Sequence, residues 1–556
     1  MCGIAAYIGD NAVQHVVAAL RLLEIRGYDS AGIAFWDGCI RIVKGVGYVE
    51  RVFEESLPYA TIALGHVRWA THGSVSQINA HPHTDCIGRI AVCHNGVIEN
   101  IDELKTSLSS GHVFRSETDT EIIAHCLEDL DIESGLIEIS DALRGHNSFA
   151  VLSEGRILAS CGGPPLLVAN GQIASDAVAL TTTEFQALRP GDVVEISSED
   201  IRFIRGTPHV LYSNRWAKRP MGYQKKGAAT RFATEIAEQP EAMKAALNNE
   251  HDNLVRACRQ MQNSVVLTGA GSSKVACMWA KDKFVEAGLF VDVIPIGEWF
   301  SRPIPKTKTV IAVSQSGETG TLVPLIDSLK CSNHDLIAVV NTPWSFLARH
   351  ANIVLQLFCG EERSVIASKS FMTQCIVLGH LASQLRNLEK QYKEAVVRAS
   401  CALADWLPGL QTEISKLEIW FERCFVLGEG EFYPIAHEGA MKLKEGAYIF
   451  AEPMIASEFK HEALPLITKD ELVLWVGETN SGGIAQVAEI RARGATVIGI
   501  SVEDLGFDAQ IQLPREAIEF PPLAVVPLQL LTQHIATHKK INVDRPRNLA
   551  KAITVK

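Results

Sequence analysis

Short runs dominated by apolar residues recur through the second half of the chain, and stretches of helical periodicity separate them. A strand that is apolar along its whole length is buried on both faces, and helices that join parallel strands cover a sheet in that way. The pattern therefore predicts α/β doubly wound parallel sheets from about residue 231 onward. The runs lie at residues 264–267, 309–313, 336–340, 353–357, 424–427, 472–476 and 496–500.

Two of these runs enter similar turns, which indicates an internal duplication. Residues 264–271 and 424–430 each combine a strand with a glycine-rich turn, and a helical pattern follows both. We therefore expect one α/β domain over residues 241–395, a second over 410–540, and a C-terminal tail at 541–556.

Residues 1–210 follow a different pattern, in which short β-branched runs alternate with Gly, Asp and Asn turns. Helices are predicted near residues 13–24 and 118–130, and either Ser116 or Thr118 is a candidate N-cap for the second helix. This mixture is typical of an α+β domain.

Residues 211–240 interrupt the regular patterns with proline, basic and aperiodic segments. They predict a linker, and a mobile loop inside one domain is the alternative interpretation.

Composition excludes several classes of protein. A net charge of −12 argues against a nucleic-acid-binding surface, and no apolar stretch is long enough to span a membrane. Thirteen scattered cysteines without a Cys-x-x-Cys motif favour a reducing, cytoplasmic location. The histidines form no recognisable metal-ligand pattern and no Walker lysine motif is present, so we expect neither a metal nor a cofactor.

Cys2 is the strongest candidate for a catalytic nucleophile. Removal of Met1 would place a thiol and a free α-amine on one residue. An α-amine with an ordinary pKa of about 7.7–8.0 is a usable general base near neutral pH. A thiol is the best nucleophile among the common side chains. A chance cysteine at this position is the alternative.

Three polar clusters in the same domain are further candidates. Arg68 offers a guanidinium suited to a carboxylate, and Asn95 with Gly96 offers donors suited to an oxyanion. Asp119 stands near a helix start, where it could pair with an α-ammonium group or cap the helix. Taken singly, each cluster is better explained without a site, as a surface arginine, an Asn-Gly turn and an N-cap.

Together with Cys2, these clusters closely resemble the class II glutamine amidotransferase domain of the N-terminal-nucleophile type. The resemblance covers residues 1–210 and implies the αββα fold of that class. It implies that Cys2 attacks the side-chain amide of glutamine, releasing ammonia and leaving a glutamyl thioester that water hydrolyses. The matching segments are residues 1–4, 26–32, 65–73, 79–83, 94–96 and 116–121.

The same resemblance implies roles for the residues around Cys2. Asn95 and Gly96 would stabilise the oxyanion, and Arg68 and Asp119 would hold the carboxylate and the amine of the substrate. The residues implied to bind glutamine are Arg68, Trp69, Thr71, His72 and Asp119.

Two serine-rich turns follow predicted strands of the α/β region. Residues 314–321 and 269–273 place hydroxyls and backbone N–H groups between a strand and a helix, where an anion is favoured. A phosphorylated small molecule is the better interpretation of these turns, and two ordinary Ser/Gly loops are the alternative.

Ionisable residues are concentrated in the last third of the chain. Glu438, Lys442 and Glu445 are spaced to share one face of a helix, and a solvated salt-bridged face is the alternative to a site. His461 and Lys551 are further acid–base candidates.

These segments resemble the paired sugar-isomerase (SIS) domains of the glutamine–fructose-6-phosphate aminotransferase family, whose domain order and tail also match. The resemblance implies that Glu445 moves a proton between C1 and C2, that Lys551 forms a Schiff base with the ketose, and that His461 assists ring opening. The residues implied to hold the sugar phosphate or support its site are Ser273, Ser314, Gln315, Ser316, Thr319, Val365, Ser368, Glu438 and Lys442.

The resemblance implies transfer of ammonia from L-glutamine to D-fructose 6-phosphate with isomerisation, giving D-glucosamine 6-phosphate and L-glutamate. It implies a homodimer, because His461 would act across subunits, and an ammonia channel lined by Trp69 and Ala550. The chain departs from the family at residues 270–273, where the last two hydroxyls are nevertheless kept, and at residues 462–463, where Glu462 brings a new carboxylate beside His461.

Two other functions stay open. An enzyme with a different acceptor or direction, such as a deglycase, would explain the changed residues beside His461, but it would have no use for a glutaminase site. A sugar-phosphate-sensing regulator is the non-enzymatic alternative, and Glu445 and Lys551 argue against it.

Overall fold

The structure is a computed structural model that describes residues 2–54, 57–108, 111–213, 230–302, 308–417, 421–478 and 481–551. These residues divide into two compact units. The first comprises the described residues up to 213 together with 318–320, and the second comprises those from 230 to 317 and from 321 to 551. Each unit is described by itself.

Two antiparallel sheets form the first unit. The larger has eight strands in the order β14-β11-β9-β10-β1-β4-β2-β3, and the smaller has six in the order β13-β12-β8-β7-β6-β5. The strands are β1 (Gly3–Ile8), β2 (Ser30–Trp36), β3 (Ile40–Val46), β4 (Ile62–Arg68), β5 (His83–Thr84), β6 (Ile90–Gly96), β7 (Asn147–Ser153), β8 (Arg156–Ser160), β9 (Leu167–Ala169), β10 (Gln172–Ala174), β11 (Glu184–Ala187), β12 (Val193–Ile196), β13 (Ile201–Arg205) and β14 (Leu211–Ser213).

Alternation of side chains along the strands separates three apolar layers. On β1, Ile4 faces a core shared by the two sheets, whereas Ala5 packs with α1 on the outer face of the larger sheet. On β7, Ala150 faces the shared core and Val151 packs with α4 and α5. The unit is therefore a four-layer αββα arrangement, as predicted. Its helices are α1 (Ala12–Leu23), α2 (Val49–Val52), α3 (Ile101–Ser107), α4 (Glu121–Glu128) and α5 (Ile132–Ala142).

The start of α4 differs from the predicted one. Residues 116–120 form turns, and the helix begins at Glu121. The Glu121 carboxylate accepts hydrogen bonds from the backbone N–H groups of Arg115 and Ser116, at 2.8 and 2.7 Å, so it holds the preceding segment outside the helix. The prediction that Ser116 or Thr118 caps this helix is wrong.

Two five-stranded parallel sheets form the second unit, and they confirm the predicted duplication. Their orders are β16-β15-β17-β18-β19 and β21-β20-β22-β23-β24, so both follow the sequence 2-1-3-4-5. In such sheets, ligands bind where the order reverses, at the carboxyl ends of the strands. The strands are β15 (Ser264–Gly269), β16 (Phe290–Pro295), β17 (Thr309–Ser314), β18 (Asp335–Val340), β19 (Ile353–Gln356), β20 (Arg423–Gly428), β21 (Phe450–Ile455), β22 (Leu472–Val476), β23 (Thr496–Ser501) and β24 (Ala509–Gln512).

One large apolar core joins the two sheets of this unit, and α14 and α18 pack closely within it. The helices are α6 (Arg231–Ala237), α7 (Gln239–Ala245), α8 (His251–Met261), α9 (Ser272–Glu286), α10 (Leu322–Cys331), α11 (Phe346–His350), α12 (Lys369–Leu385), α13 (Glu389–Ile414), α14 (Phe432–Ala447), α15 (Ala456–Glu462), α16 (Ser481–Ala492), α17 (Glu516–Glu519) and α18 (Val525–His538).

The predicted linker at 211–240 falls mostly on residues 214–229, which lie outside the described residues. Its ends are regular structure, because Leu211–Ser213 pairs as β14 and Arg231–Ala237 is α6. The domain boundaries stay a prediction. Within the described ranges, no helix has both the length and the apolar character that a bilayer crossing requires.

Two helical glycines of the second unit give a matched stability test. A Cβ at Gly439 on α14 would lie 2.2 Å from Leu528 Cδ1 and 2.9 Å from its Cγ, whereas a Cβ at Gly409 on α13 meets nothing within 4 Å. We expect Gly439→Ala to cost about 1–3 kcal/mol through overpacking. Gly409→Ala should be neutral or stabilise by up to about 1 kcal/mol. Urea unfolding followed by circular dichroism measures both, and equal effects would contradict the close packing of α14 on α18.

Candidate functional site

Cys2 stands at the entry of β1, which pairs on both sides with β10 and β4 in the larger sheet. Cys2 as a whole residue is half-buried. The Trp69 N–H donates to Sγ at 3.4 Å, and the thiol donates to the Trp69 carbonyl at 3.6 Å. Burial raises the pKa of the Cys2 thiol, although the hydrogen bond from Trp69 and the charge of Arg68 oppose this. A nearby base is therefore needed to generate the thiolate near neutral pH.

Arg68 ends β4 and is only 3% exposed, so its interpretation as a surface arginine is wrong. Its guanidinium donates to backbone carbonyls of the following loop, at Ser74 (3.3 Å), Gly73 (3.4 Å) and His72. Within the described part of the chain it forms no salt bridge with a carboxylate. The buried positive charge therefore suits a substrate carboxylate.

The loop after β4, which receives the hydrogen bonds of the Arg68 guanidinium, is itself exposed to solvent at residues 71–75. The side chains of Thr71 and His72 are exposed, and the half-buried Trp69 ring packs edge-on against Tyr28 at 5.5 Å. The Glu117 carboxylate accepts hydrogen bonds from Ser74 N–H at 2.9 Å and from a second loop residue, Asn79, at 2.7 Å.

Asn95 and Gly96 end β6 and are tied to β1 through Ser175. The Asn95 amide donates to Ser175 Oγ at 2.9 Å, and the backbone N–H of Ile4 donates to the same oxygen at 2.8 Å. Gly96 has φ +148°, and a Cβ there would lie 2.3 Å from the His146 carbonyl. The sharp strand end therefore requires glycine. Ser175 was not identified from the sequence.

Asp119 does not cap α4, so that alternative is wrong. Its carboxylate is buried and accepts a hydrogen bond from the Ile98 N–H at 2.8 Å, just beyond the end of β6. A carboxylate near this strand end suits the α-ammonium group of an amino acid.

A layer of buried histidines lies behind these groups. The Thr120 hydroxyl hydrogen-bonds with His94 Nδ1 at 3.0 Å and with His81 Nε2 at 2.8 Å. Burial lowers the pKa of His66 and of His83 to about 3. These imidazoles are therefore neutral at physiological pH, and they support the β6 end and the start of α4 as hydrogen-bonding groups.

The predicted helix face of the second unit is a buried polar cluster on α14. Glu438 and Lys442 are almost fully buried, and Lys442 Nζ lies 3.3 Å from Glu438 Oε1 and 2.7 Å from Glu445 Oε2. Ser272 Oγ donates to Glu438 at 2.8 Å and accepts from Lys442 at 3.2 Å. The solvated-face interpretation is wrong. Among the three α14 side chains, only Glu445, with 24% of its side chain exposed, is open to a ligand.

Burial and ion pairing shift the pKa values of these groups in opposite directions. Burial raises the pKa of Glu438, and the charge of Lys442 opposes it. For Lys442, burial alone lowers the pKa, but Glu438 and Glu445 outweigh it and the pKa lies above its ordinary value. The lysine is therefore a fixed ammonium that orients Glu445 rather than a proton donor.

The two serine turns follow adjacent strands, β15 and β17, at the point where the strand order reverses. Ser273 accepts a hydrogen bond from Gln374 Nε2 at 3.0 Å, and Ser314 Oγ accepts one from the Gly317 N–H at 3.0 Å. Gly317 has φ +67°, and a Cβ there would lie 2.0 Å from Ser345 Oγ. Gln315, Ser316 and Thr319 lie half-buried in the loop after β17.

Lys551 pairs with a carboxylate that the sequence did not indicate. Its Nζ lies 2.6 Å from Glu362 Oε2, and the Glu362 side chain is fully buried. The same carboxylate accepts hydrogen bonds from the Ser368 N–H at 3.0 Å and from the Ser370 hydroxyl at 2.7 Å. Burial resists the ionisation of Glu362, but Lys551 and these hydrogen bonds lower its pKa to about 2. The lysine amine is therefore anchored at one position.

Other predicted residues take different positions. Ser368 is fully buried and its hydroxyl donates to Glu235 at 3.0 Å, while the Val365 N–H donates to the Asp544 carbonyl at 3.0 Å. Ala550 is half-buried beside Lys551. His461 is exposed at the end of α15, on a different helix from the α14 cluster.

Comparisons with known proteins assign both halves of the chain to known domain families. Residues 52–199 match the glutamine amidotransferase domain family, and residues 260–384 and 421–538 match the SIS domain family. The glutamine–fructose-6-phosphate aminotransferase (isomerizing) of Pyrococcus horikoshii is 34% identical, and that of Escherichia coli O157:H7 is 33% identical. Each alignment covers 100% of both chains.

Solved structures resemble the second unit. The C-terminal domain of glucosamine-fructose-6-phosphate aminotransferase from Francisella tularensis has a TM-score of 0.53 at 26% identity, covering 58% of this chain and 99% of that one. Tagatose-6-phosphate ketose/aldose isomerase from Escherichia coli has a TM-score of 0.51 at 18% identity, covering 58% and 96%, and shows the fold alone.

These findings define a glutamine amidotransferase domain joined to paired SIS domains. The full-length similarity is more specific: the chain belongs to the glutamine–fructose-6-phosphate aminotransferase (isomerizing) family.

Glu235 interacts with Glu362 and Lys551, and its effect on stability can be tested by varying the pH. Burial and the charge of Glu362 raise the pKa of Glu235 from 4.5 to about 7. An acid whose pKa is raised by folding holds its proton more tightly when folded, so stability falls as the pH rises from about 4.5 through 7. Glu235→Gln removes that loss, and its stability relative to the native chain should rise by about 1–3 kcal/mol between pH 5 and 8.

Urea unfolding of the native protein and of the Glu235→Gln variant at each pH measures the difference in their free energies of unfolding. Glu241→Gln, on the exposed surface of the adjacent α7, is the matched control for loss of a carboxylate. A pH-independent difference between Glu235→Gln and the native chain would contradict the raised pKa.

Proposed function

We propose that this protein transfers the amide nitrogen of L-glutamine to D-fructose 6-phosphate, with isomerisation, giving D-glucosamine 6-phosphate and L-glutamate. The observation that supports this proposal most directly is that one chain contains two polar centres. The first has a partly exposed Cys2 beside a buried Arg68, and the second has a buried lysine–carboxylate cluster. Full-length similarity to curated enzymes of that name supports the same reaction.

In the glutaminase half, the Cys2 thiolate attacks the amide carbon while the α-amine, freed by loss of Met1, carries the thiol proton to the leaving ammonia. Asn95 Nδ2 and the Gly96 N–H are the proposed donors to the oxyanion. Water then hydrolyses the thioester to glutamate and restores the thiol.

Arg68 and Asp119 supply opposite charges for the two ends of the amino-acid substrate. The guanidinium would bind the α-carboxylate and the Asp119 carboxylate the α-ammonium, which fixes the side-chain amide relative to Cys2. The residues proposed to line this site are Trp69, Thr71 and His72.

In the sugar half, the turns after β15 and β17 are the proposed phosphate site, because hydroxyls and backbone N–H groups converge at the strand ends. Lys551 condenses with the ketose carbonyl and releases water, and ammonia then adds at C2 and displaces the lysine amine. Glu445 moves a proton from C1 to C2 of the resulting imine, which leaves the amine on C2 and the aldehyde at C1. Glu362 balances the charge of the protonated imine. The residues proposed to support this site are Ser273, Ser314, Gln315, Ser316, Thr319, Val365, Ser368, Glu438 and Lys442.

Assembly and location are further parts of the proposal. His461 is exposed on α15, where it is available to a second copy, and we propose that it assists ring opening across a homodimer. Trp69 and Ala550 are the residues proposed to line the ammonia path. The thirteen cysteines form no disulfides, which supports the proposal of a reducing, cytoplasmic location.

Substitution of the two proposed covalent residues should separate the half-reactions. Cys2→Ala should reduce glutamate release by at least about 10³-fold, because the nucleophile is lost. The same variant should keep aldose–ketose isomerisation of fructose 6-phosphate, which needs no ammonia. Lys551→Ala should show the reverse, with glutamate release preserved in the absence of sugar. Coupled assays for glutamate and for glucose 6-phosphate measure both.

Cys93→Ala is the matched control for loss of a thiol in the same unit, since Cys93 is buried in the shared core on β6. Cys2→Ala protein that releases glutamate at the native rate would contradict the assignment of the nucleophile. Lys551→Ala protein that still isomerises the sugar phosphate at the native rate would contradict the imine.

A further inference from the structure

Four metal-ligand side chains converge in the first unit, at the opposite end of α4 from Asp119. Cys86 follows β5, His112 lies in the segment before α4, and His125 and Glu128 lie on α4. One ligand atom from each residue lies within 4.8 Å of every other. His125 is buried, and the other three are partly buried.

Four of the six distances between these atoms are close to the edges of a small tetrahedron, and the other two are within 4.8 Å. Cys86 Sγ lies 3.5 Å from His125 Nδ1 and 3.8 Å from His112 Nδ1. Glu128 Oε2 lies 3.1 Å from His112 Nδ1 and 3.3 Å from His125 Nδ1. Zinc–ligand bonds of about 2.0–2.3 Å in tetrahedral geometry give edges of roughly 3.3–3.7 Å. An ion at the centre therefore requires only small movements.

The outer nitrogens of both histidines face carboxylates. His112 Nε2 lies 3.2 Å from Asp129 Oδ2, and His125 Nε2 lies 3.6 Å from Glu121 Oε1. A carboxylate behind a metal-bound imidazole fixes the ring and strengthens its ligand nitrogen. This arrangement leaves Nδ1 of each ring as the atom directed at the cluster.

Backbone groups also favour charged ligands. The Val113 N–H donates to Cys86 Sγ at 3.4 Å, which stabilises a thiolate. The Cys86 N–H donates to Glu128 Oε2 at 3.1 Å, which fixes the carboxylate oxygen that faces both histidines.

We propose that Cys86, His112, His125 and Glu128 form a structural Zn²⁺ site. One thiolate, two imidazoles and one carboxylate in a tetrahedron are the donors and the geometry that zinc prefers. Binding releases the thiol proton to solvent and leaves four protein ligands with no open position, so the site is structural rather than catalytic. Its four ligands are not among the residues of the two proposed reaction sites.

Sequence spacing alone predicted no metal. His125 and Glu128 are close along one helix, but Cys86 and His112 come from separate segments, and only folding brings them together. The ion would tie the turn after β5 and the segment before α4 to the carboxyl-terminal half of that helix. Since α4 begins at Glu121, two residues after Asp119, zinc would stiffen one wall of the glutamine site.

Metal analysis of the full-length protein tests the proposal. Protein dialysed against buffer without chelator should carry about one zinc per chain by inductively coupled plasma mass spectrometry. Cys86→Ser and His112→Ala should each lose most of it. Cys126→Ser is the matched control, because Cys126 lies on the same helix outside the cluster and should leave the zinc in place. Cys2→Ala should also retain zinc, which separates this site from the nucleophile.

A spectroscopic measurement on the native protein tests the site even where the variants fold poorly. Native protein stripped of metal and titrated with Co²⁺ should develop the visible bands of tetrahedral cobalt and a sulfur-to-cobalt charge-transfer band in the near ultraviolet. Zn²⁺ should raise its thermal midpoint, but not that of His112→Gln. A native protein that takes up neither ion, with no change in the thermal midpoint, would overturn the site in favour of a metal-free hydrogen-bonded cluster. Zinc retained in full by Cys86→Ser and His112→Ala would also overturn it.

Discussion

Both units depend on one constraint. A charged side chain that is buried needs partners within the protein that pair with its charge or hydrogen-bond to it. An isolated charge away from water is costly, so each such group fixes the position of its neighbours. In the second unit, Lys442 lies between Glu438 and Glu445, and Lys551 lies against Glu362. Rigid placement of an acid–base group and an amine follows directly from this electrostatic requirement.

Sheet topology decides which of these groups meet. The strand order 2-1-3-4-5 places the ends of β15 and β17 side by side, so two serine turns that are distant in sequence form one anion-binding edge. In the first unit, antiparallel pairing of β1 with β4 holds Cys2 next to the loop that begins at Trp69. Backbone pairing thus supplies the positional precision that catalysis needs.

The sequence predicted those features that depend on local periodicity or on quoted motifs. Helical spacing correctly placed Glu438, Lys442 and Glu445 on one face, and the apolar runs predicted both parallel sheets. It missed contacts between distant segments, such as Ser175 with Ile4, 171 residues apart, and Lys551 with Glu362, 189 residues apart. No local pattern encodes such pairs, and the same reason hid the cluster around Cys86.

The most direct test of the account is to follow the amide nitrogen itself. Native protein is incubated at neutral pH with amide-¹⁵N L-glutamine and D-fructose 6-phosphate, without added ammonia, and the products are analysed by mass spectrometry. The account predicts ¹⁵N-labelled glucosamine 6-phosphate in amounts that match the glutamate formed. Glutamate without labelled amino sugar would contradict it, because the glutaminase would then serve a different acceptor.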